Sequence, residues 1–112
     1  MEKKKVLFII SSGDKQVILP ALNLAMNSKK GGLYDDVKVH FFGISEKVAA
    51  EDEEIQQKIA DLIKEGINPM ACVNLSKKFD VSVKLDSMGF DQVPIGPEIA
   101  KLINDGYVPM VF

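Results

Sequence analysis

Few residues of this chain can do chemistry. Among 112 residues there is one cysteine, Cys72, and one histidine, His40. A lone thiol closes no disulfide within the chain, so Cys72 is either a small buried apolar residue or a nucleophile. Asn68-Pro69-Met70-Ala71-Cys72-Val73 reads as a short strand and Asn74 to Phe79 as a short helix, which sets the thiol at a strand-to-helix junction. Free backbone N–H groups and the helix dipole favour a thiolate at such a place. Lys77 and Lys78 follow on the same helix and add positive charge. A persulfide on Cys72, itself an anion, would be held by the same groups.

The other candidates carry weaker patterns. Ser11-Ser12-Gly13-Asp14 is a polar turn whose N–H groups could cradle a phosphate at a helix start. It has neither the P-loop nor the GxGxxG spacing, and a simple turn with Asp14 as N-cap accounts for the same residues. His40 alternates with Val39 and Phe41 in a predicted strand, so it faces a helix layer or a partner subunit. One cysteine and one histidine far apart make no zinc pattern, and neither metal nor cofactor is called for. Glu51-Asp52-Glu53-Glu54 reads as a solvated helix start. Lys3-Lys4-Lys5 reads as a solubilising flank. Met88-Gly89-Phe90 sets two large apolar residues in a polar stretch; they either lie over the crevice near Cys72 or are covered by another subunit.

The elements that must position these residues follow from periodicity. Val6 to Ile10 is a continuous apolar run, which marks a strand covered on both faces, as in a parallel sheet. Ile18, Leu22, Ala25 and Met26 recur at helical spacing between an Asp14 N-cap and a Gly31-Gly32 stop, with Pro20 predicting an irregular or delayed first turn. Val37 to Phe42 is a second strand, ended by Gly43. Glu53 to Glu65 is a second clear helix, with Ile55, Ile59, Leu62 and Ile63 as its stripe and Gly66 as its stop. Ser82 to Phe90 fits either a strand-like piece or a loop with a helical turn. Gln92 to Ile95 is a fourth strand, and Pro97 opens a helix with Ile99, Leu102 and Ile103 inward. Tyr107 to Phe112 is a fifth strand, placed at an edge by Pro109, which cannot donate to a ladder.

Strands and helices alternate throughout. That order predicts one three-layer α/β/α domain over residues 1–112, with a mostly parallel five-stranded sheet and right-handed crossovers. In such sheets function gathers beyond the carboxyl ends of the strands. The segments there are Ser11 to Asp14, Gly43 to Glu46, Cys72 to Asn74 and Pro94 to Gly96. Bulk properties narrow the classes further. The net charge of -2 lacks the basic footprint of a nucleic-acid binder. The Val6 to Ile10 run is too short for a signal-peptide core or a membrane span, and the single cysteine fits a reducing compartment. A cytoplasmic protein is expected.

Together these residues resemble a known family. The carriers of the resemblance are a Lys-Val-Leu-Phe-Ile-Ile first strand with a Ser-Gly-Asp turn, a Val-Lys-Val-His-Phe-Phe-Gly second strand and a helix ending in Gly66. A Gly-Ile-Asn-Pro-Met-Ala segment before Cys72 and a closing Val-Pro-Met-Val-Phe strand complete it. This pattern is similar to the DsrE/DsrF-like family of small sulfur-relay proteins, which includes the Tus and YchN proteins. The resemblance spans nearly the whole chain. It implies that Cys72 accepts sulfane sulfur as a persulfide and passes it to a partner thiol. It assigns Lys77 to the support of the anion and Asn74 to a hydrogen bond at the helix start. Ser12, Gly13, Asp14, Gly43, Met88 and Phe90 become the residues expected to line the crevice. Homo-oligomers, trimers or hexamers, and sulfur donor and acceptor proteins are the implied partners. Where family members follow the cysteine with small and hydroxyl residues and then arginine, this chain has Val73-Asn74-Leu75-Ser76 and Lys77. A competing reading keeps the fold and makes Cys72 a packing residue of an oligomeric module that binds a small anion or nucleotide.

Overall fold

The structure, a computed structural model, describes residues 2–112, so Met1 of the basic flank lies outside the described residues. The elements are β1 (Lys5–Ile10), α1 (Lys15–Lys30), β2 (Asp36–Phe41), α2 (Ser45–Glu51), α3 (Glu53–Lys64), β3 (Met70–Cys72), α4 (Val73–Lys78), α5 (Ser82–Ser87), β4 (Asp91–Val93), α6 (Ile95–Asn104) and β5 (Tyr107–Val111). The five strands form one sheet in the order β4-β3-β2-β1-β5. Every neighbouring pair is parallel. Pro109 lies in an edge strand, as its missing N–H requires, opposite Leu7.

Alternation along β1 divides the molecule. Val6, Phe8 and Ile10 join Val37, Val39 and Phe41 in the main core under Ile18 and Leu22 of α1, Ile55, Ile59 and Leu62 of α3 and Leu85 of α5. Each of those helical side chains is fully buried, worth about 1.5–3 kcal/mol apiece. Leu7 and Ile9 face the other way, against Leu102 of α6. Helices α1, α2, α3 and α5 therefore cover one face and α6 the other, which is why β1 reads as an unbroken apolar run.

Several boundaries differ from expectation. Helix α1 starts at Lys15 directly after its Asp14 cap, which accepts from the Gln16 N–H at 2.8 Å. Pro20 sits inside this helix on the exposed side. The carbonyl it leaves without a helical partner belongs to Gln16, which is exposed to solvent. Helix α6 starts at Ile95, not Pro97, because proline is tolerated in a first turn whose N–H groups have no intrahelical partner. Its buried residues are Ile95 and Leu102, while Ile103 is 44% exposed. The ambiguous Ser82 to Phe90 stretch is α5 and a following turn. Helix α2 has no periodic signature in the sequence. It is seven residues long and ends at Asp52, which caps the start of α3 by accepting from the Ile55 N–H at 2.9 Å. The acidic run is thus a helix start, clamped by Lys15, which pairs with Asp52 at 2.9 Å and Glu54 at 3.0 Å.

Candidate functional site

Cys72 is the last residue of β3 and the N-cap of α4, with extended backbone dihedrals. The chain leaves β3 through α4 and α5, whose Leu85 joins the main core, whereas it leaves the adjacent β4 through α6 on the opposite face. Cys72 therefore stands at the carboxyl edge of the sheet, between two strands whose connections part to opposite faces. It is 5% exposed.

A half-buried polar network fixes the helix behind the thiol. Ser76, fully buried on α4, lies 2.6 Å from Gln92 Oε1 and 3.0 Å from the Val73 carbonyl, and its Oγ receives Ser82 at 3.3 Å. Gln92 Nε2 in turn donates to the Ser82 carbonyl at 2.8 Å. Three short elements, α4, α5 and β4, are locked to one another by side chains that the sequence pattern does not single out.

The second feature of the site is Glu46, in the first turn of α2. Ser45 beside it anchors α2 to the sheet by donating to the Ile10 carbonyl at 2.6 Å. The Glu46 side chain is fully buried, and neither carboxyl oxygen makes a hydrogen bond. Burial pushes its pKa up to about 7; the Gly43 and Cys72 N–H groups oppose that rise without making bonds of good geometry. Glu46 sits just past the end of β2, beside the point where β3 continues. Glu46 lies in a segment assigned to the crevice from sequence, but burial of a carboxylate has no local signature.

The other expected site residues divide. Gly13 and Gly43 meet at the carboxyl end of β1 and β2. A Cβ on Gly43 (φ +142) would lie 2.6 Å from the Ser11 carbonyl oxygen, and one on Gly13 would lie 2.7 Å from Ile44 Cγ2. The turn is closed rather than open to a ligand. Ser12 Oγ accepts from the Asp14 N–H at 3.0 Å, and the Ser11 and Ser12 N–H groups donate to the Phe112 oxygen at 2.8 and 3.2 Å. These amides are committed to the protein, which removes the phosphate cradle considered for this turn. Asn74 and Lys77 are exposed on α4. Phe90 does not line a crevice: it is buried in the main core, edge-to-face with Phe41 at 5.3 Å, and Met88 packs against the same cluster. Their apolar character answers to the core of this chain.

His40 is buried on β2 in register with Met70, two residues before Cys72, so the two do not form a pair. Burial first, and Lys38 second, push its pKa down to about 4, so it is neutral. It lines a cavity of ≈ 160 Å³ with Asp36, Lys38, Met70 and Asp91. A larger groove of ≈ 330 Å³ lies between α1 and α3, lined by Asn23, Lys30, Lys58 and Glu65. Neither reaches Cys72. No group of metal-binding side chains occurs among the described residues. Nor is any described helix long and apolar enough to cross a membrane.

No protein-family model and no curated protein matches the chain. The fold has solved counterparts. BT1422 of Bacteroides thetaiotaomicron, a conserved protein of unknown function, superposes with a TM-score of 0.88 at 22% identity over 96% of this chain and 95% of its own. YchN of E. coli superposes with a TM-score of 0.77 at 15% identity over 97% of this chain and 99% of its own. At these identities the likeness is one of fold. It is the fold that the DsrE/DsrF-like resemblance implies.

Proposed function

We propose that this chain is a small sulfur carrier of the DsrE/DsrF-like type. Cys72 takes sulfane sulfur from a donor as a persulfide and passes it to a partner thiol, with no metal or cofactor. The observation that carries this reading is the position of the chain's one thiol at the carboxyl end of β3, before a helix start, in a YchN-like sheet. Each transfer is a thiol exchange, set by thiolate fraction and by access. Lys77, exposed near the end of α4, adds positive charge, and Asn74 stands in that helix's first turn. The 5% exposure of Cys72 suits a carried sulfur shielded from bulk solvent, with access opened in an oligomer or by a docking partner. Trimers or hexamers in the cytoplasm are part of the proposal.

The same burial supports a second reading, in which Cys72 only packs and the fold serves as a binding module. The commitment of the Ser11 and Ser12 amides weighs against an anion site in that module. Polysulfide treatment followed by intact-mass measurement separates the two. Gain of one sulfur atom by the wild type and none by Cys72→Ser supports the carrier. No adduct, with Cys72 inert to iodoacetamide in the folded protein, supports packing.

A further inference from the structure

We propose that the cavity beside His40 is a binding site for a small free amino alcohol, its hydroxyl seated against the His40 ring and its ammonium against the Asp91 carboxylate. The inference goes beyond the carrier reading. It uses no residue assigned to sulfur transfer, so it stands or falls independently of Cys72.

His40 is the residue that asks for a ligand. Its side chain is buried, with the residue 1% exposed, and neither ring nitrogen has a hydrogen-bond partner among the described residues. The same ring lines the cavity of ≈ 160 Å³. Buried polar groups are bonded as a rule, so an orphaned imidazole at the wall of a cavity marks a place that a polar group fills. The sheet makes the room. Strand β3 begins at Met70, opposite His40. Beside the earlier residues of β2, the cavity is walled by Gly66, Ile67 and Asn68 instead.

Register sets the length of the ligand. His40 is in register with Met70, and Met70 with Asp91, so three neighbouring strands present one row to the cavity. In-register residues of a parallel sheet project to the same side, and strands about 4.8 Å apart set His40 and Asp91 about 10 Å from each other. A hydrogen bond of about 2.8 Å at each end leaves about 4–5 Å between the two polar atoms of the ligand, the span of a three-carbon chain. Met70, between the two, gives those carbons an apolar bed. A cavity of about this volume holds a molecule of about six non-hydrogen atoms.

Charge selects the ends. Asp36 accepts from the Tyr107 hydroxyl and pairs with Lys38 at 3.4 Å, so these groups satisfy one another. Asp91 enters no ion pair among the described residues. Lys38 lies on β2, two strands from Asp91, which puts a cation at the Asp91 end. His40 is neutral, its pKa lowered to about 4 chiefly by burial. A neutral imidazole offers a donor at one nitrogen and an acceptor at the other, and a hydroxyl answers either. A carboxylate ligand would be repelled by Asp91.

The chain has one histidine, so its imidazole ¹H–¹⁵N signals report on this site alone. In the intact protein at pH 7.5, 3-amino-1-propanol is expected to shift those signals saturably, with half-saturation in the millimolar range or below. Asp91→Asn is expected to weaken binding about tenfold or more. Butylamine, which lacks the hydroxyl, and 1,3-propanediol, which lacks the cation, should each bind more weakly, and 3-hydroxypropionate should leave the signals unmoved. The absence of a saturable shift, unchanged binding in Asp91→Asn, or an equal response to the diol or the anion overturns the site. Butylamine binding as tightly as the amino alcohol overturns the hydroxyl contact. His40→Leu, followed by calorimetry, is expected to lose most of the affinity, and full retention overturns the role of the ring. If that variant does not fold, the butylamine comparison in wild type decides the contact. None of these readouts requires sulfur on Cys72, so their failure leaves the carrier reading standing.

Discussion

Replacing Glu46 by glutamine should make the protein relatively more stable as pH rises. The carboxyl is buried without a hydrogen bond, and its pKa goes from an ordinary 4.5 up to about 7. A carboxyl whose folded pKa exceeds its unfolded one is more protonated in the folded chain, so its contribution is fully present below pH 4.5 and is lost as pH rises to about 7. At about 1.4 kcal/mol per pH unit, the ceiling is about 3 kcal/mol. Solvent screening and relaxation at the end of the sheet bring the expected value to about 2 kcal/mol. Glutamine has the same shape and does not titrate. Any cost of the amide itself is constant with pH and cancels in the comparison. Urea unfolding of both proteins at pH 4 and pH 8 gives the measurement. Glu46→Gln should gain about 2 kcal/mol on wild type between the two pH values. A difference within about 0.5 kcal/mol would show that the carboxyl is solvated or hydrogen-bonded in solution, and would refute the burial argument.

Three further predictions concern the frame around the site. His40 is buried neutral with its pKa lowered to about 4, so its contribution is present above 6.5 and lost as pH falls from 6.5 toward 4. Replacement by leucine should flatten the acid limb of the unfolding free energy by about 2 kcal/mol, and an unchanged limb would contradict it. Ser76→Ala leaves Gln92 Oε1 without its 2.6 Å partner and should cost about 1–3 kcal/mol in chemical denaturation. Gly43→Ala adds a Cβ 2.6 Å from the Ser11 carbonyl oxygen at φ +142, whereas Gly66→Ala (φ +87) meets nothing within 4 Å. The first should lower the melting temperature clearly more than the second, and equal losses would count against the tight turn.

The parts of this structure legible in the sequence are those fixed by period and by caps. Val6 to Ile10, the Ile55-Ile59-Leu62 stripe, the Asp14 cap and the edge placement of Pro109 each rest on one local rule, and each stands in the structure. Helix α2 is not legible because seven residues give too few turns to establish a period, and because Asp52 closes one helix while capping the next. The place of Phe90 is not legible because a lone aromatic in a polar loop says nothing about which side of the sheet receives it; its edge-to-face contact with Phe41 decides that. The crevice segments were locatable, since strand ends are set by topology. The closed Ser11 to Gly13 turn and the buried Glu46 were not, because both depend on contacts between segments far apart in the chain.

The central claim is that Cys72 carries sulfur. Its direct test is a charge-and-discharge experiment on the folded protein, followed by intact mass and peptide mapping. After exposure to a persulfide donor, the account predicts one added sulfur atom, located on the peptide holding Cys72. It also predicts loss of that sulfur on addition of an acceptor thiol, and no gain in Cys72→Ser. A wild type that takes up no sulfur at Cys72, or holds it without release to a thiol, would contradict the account.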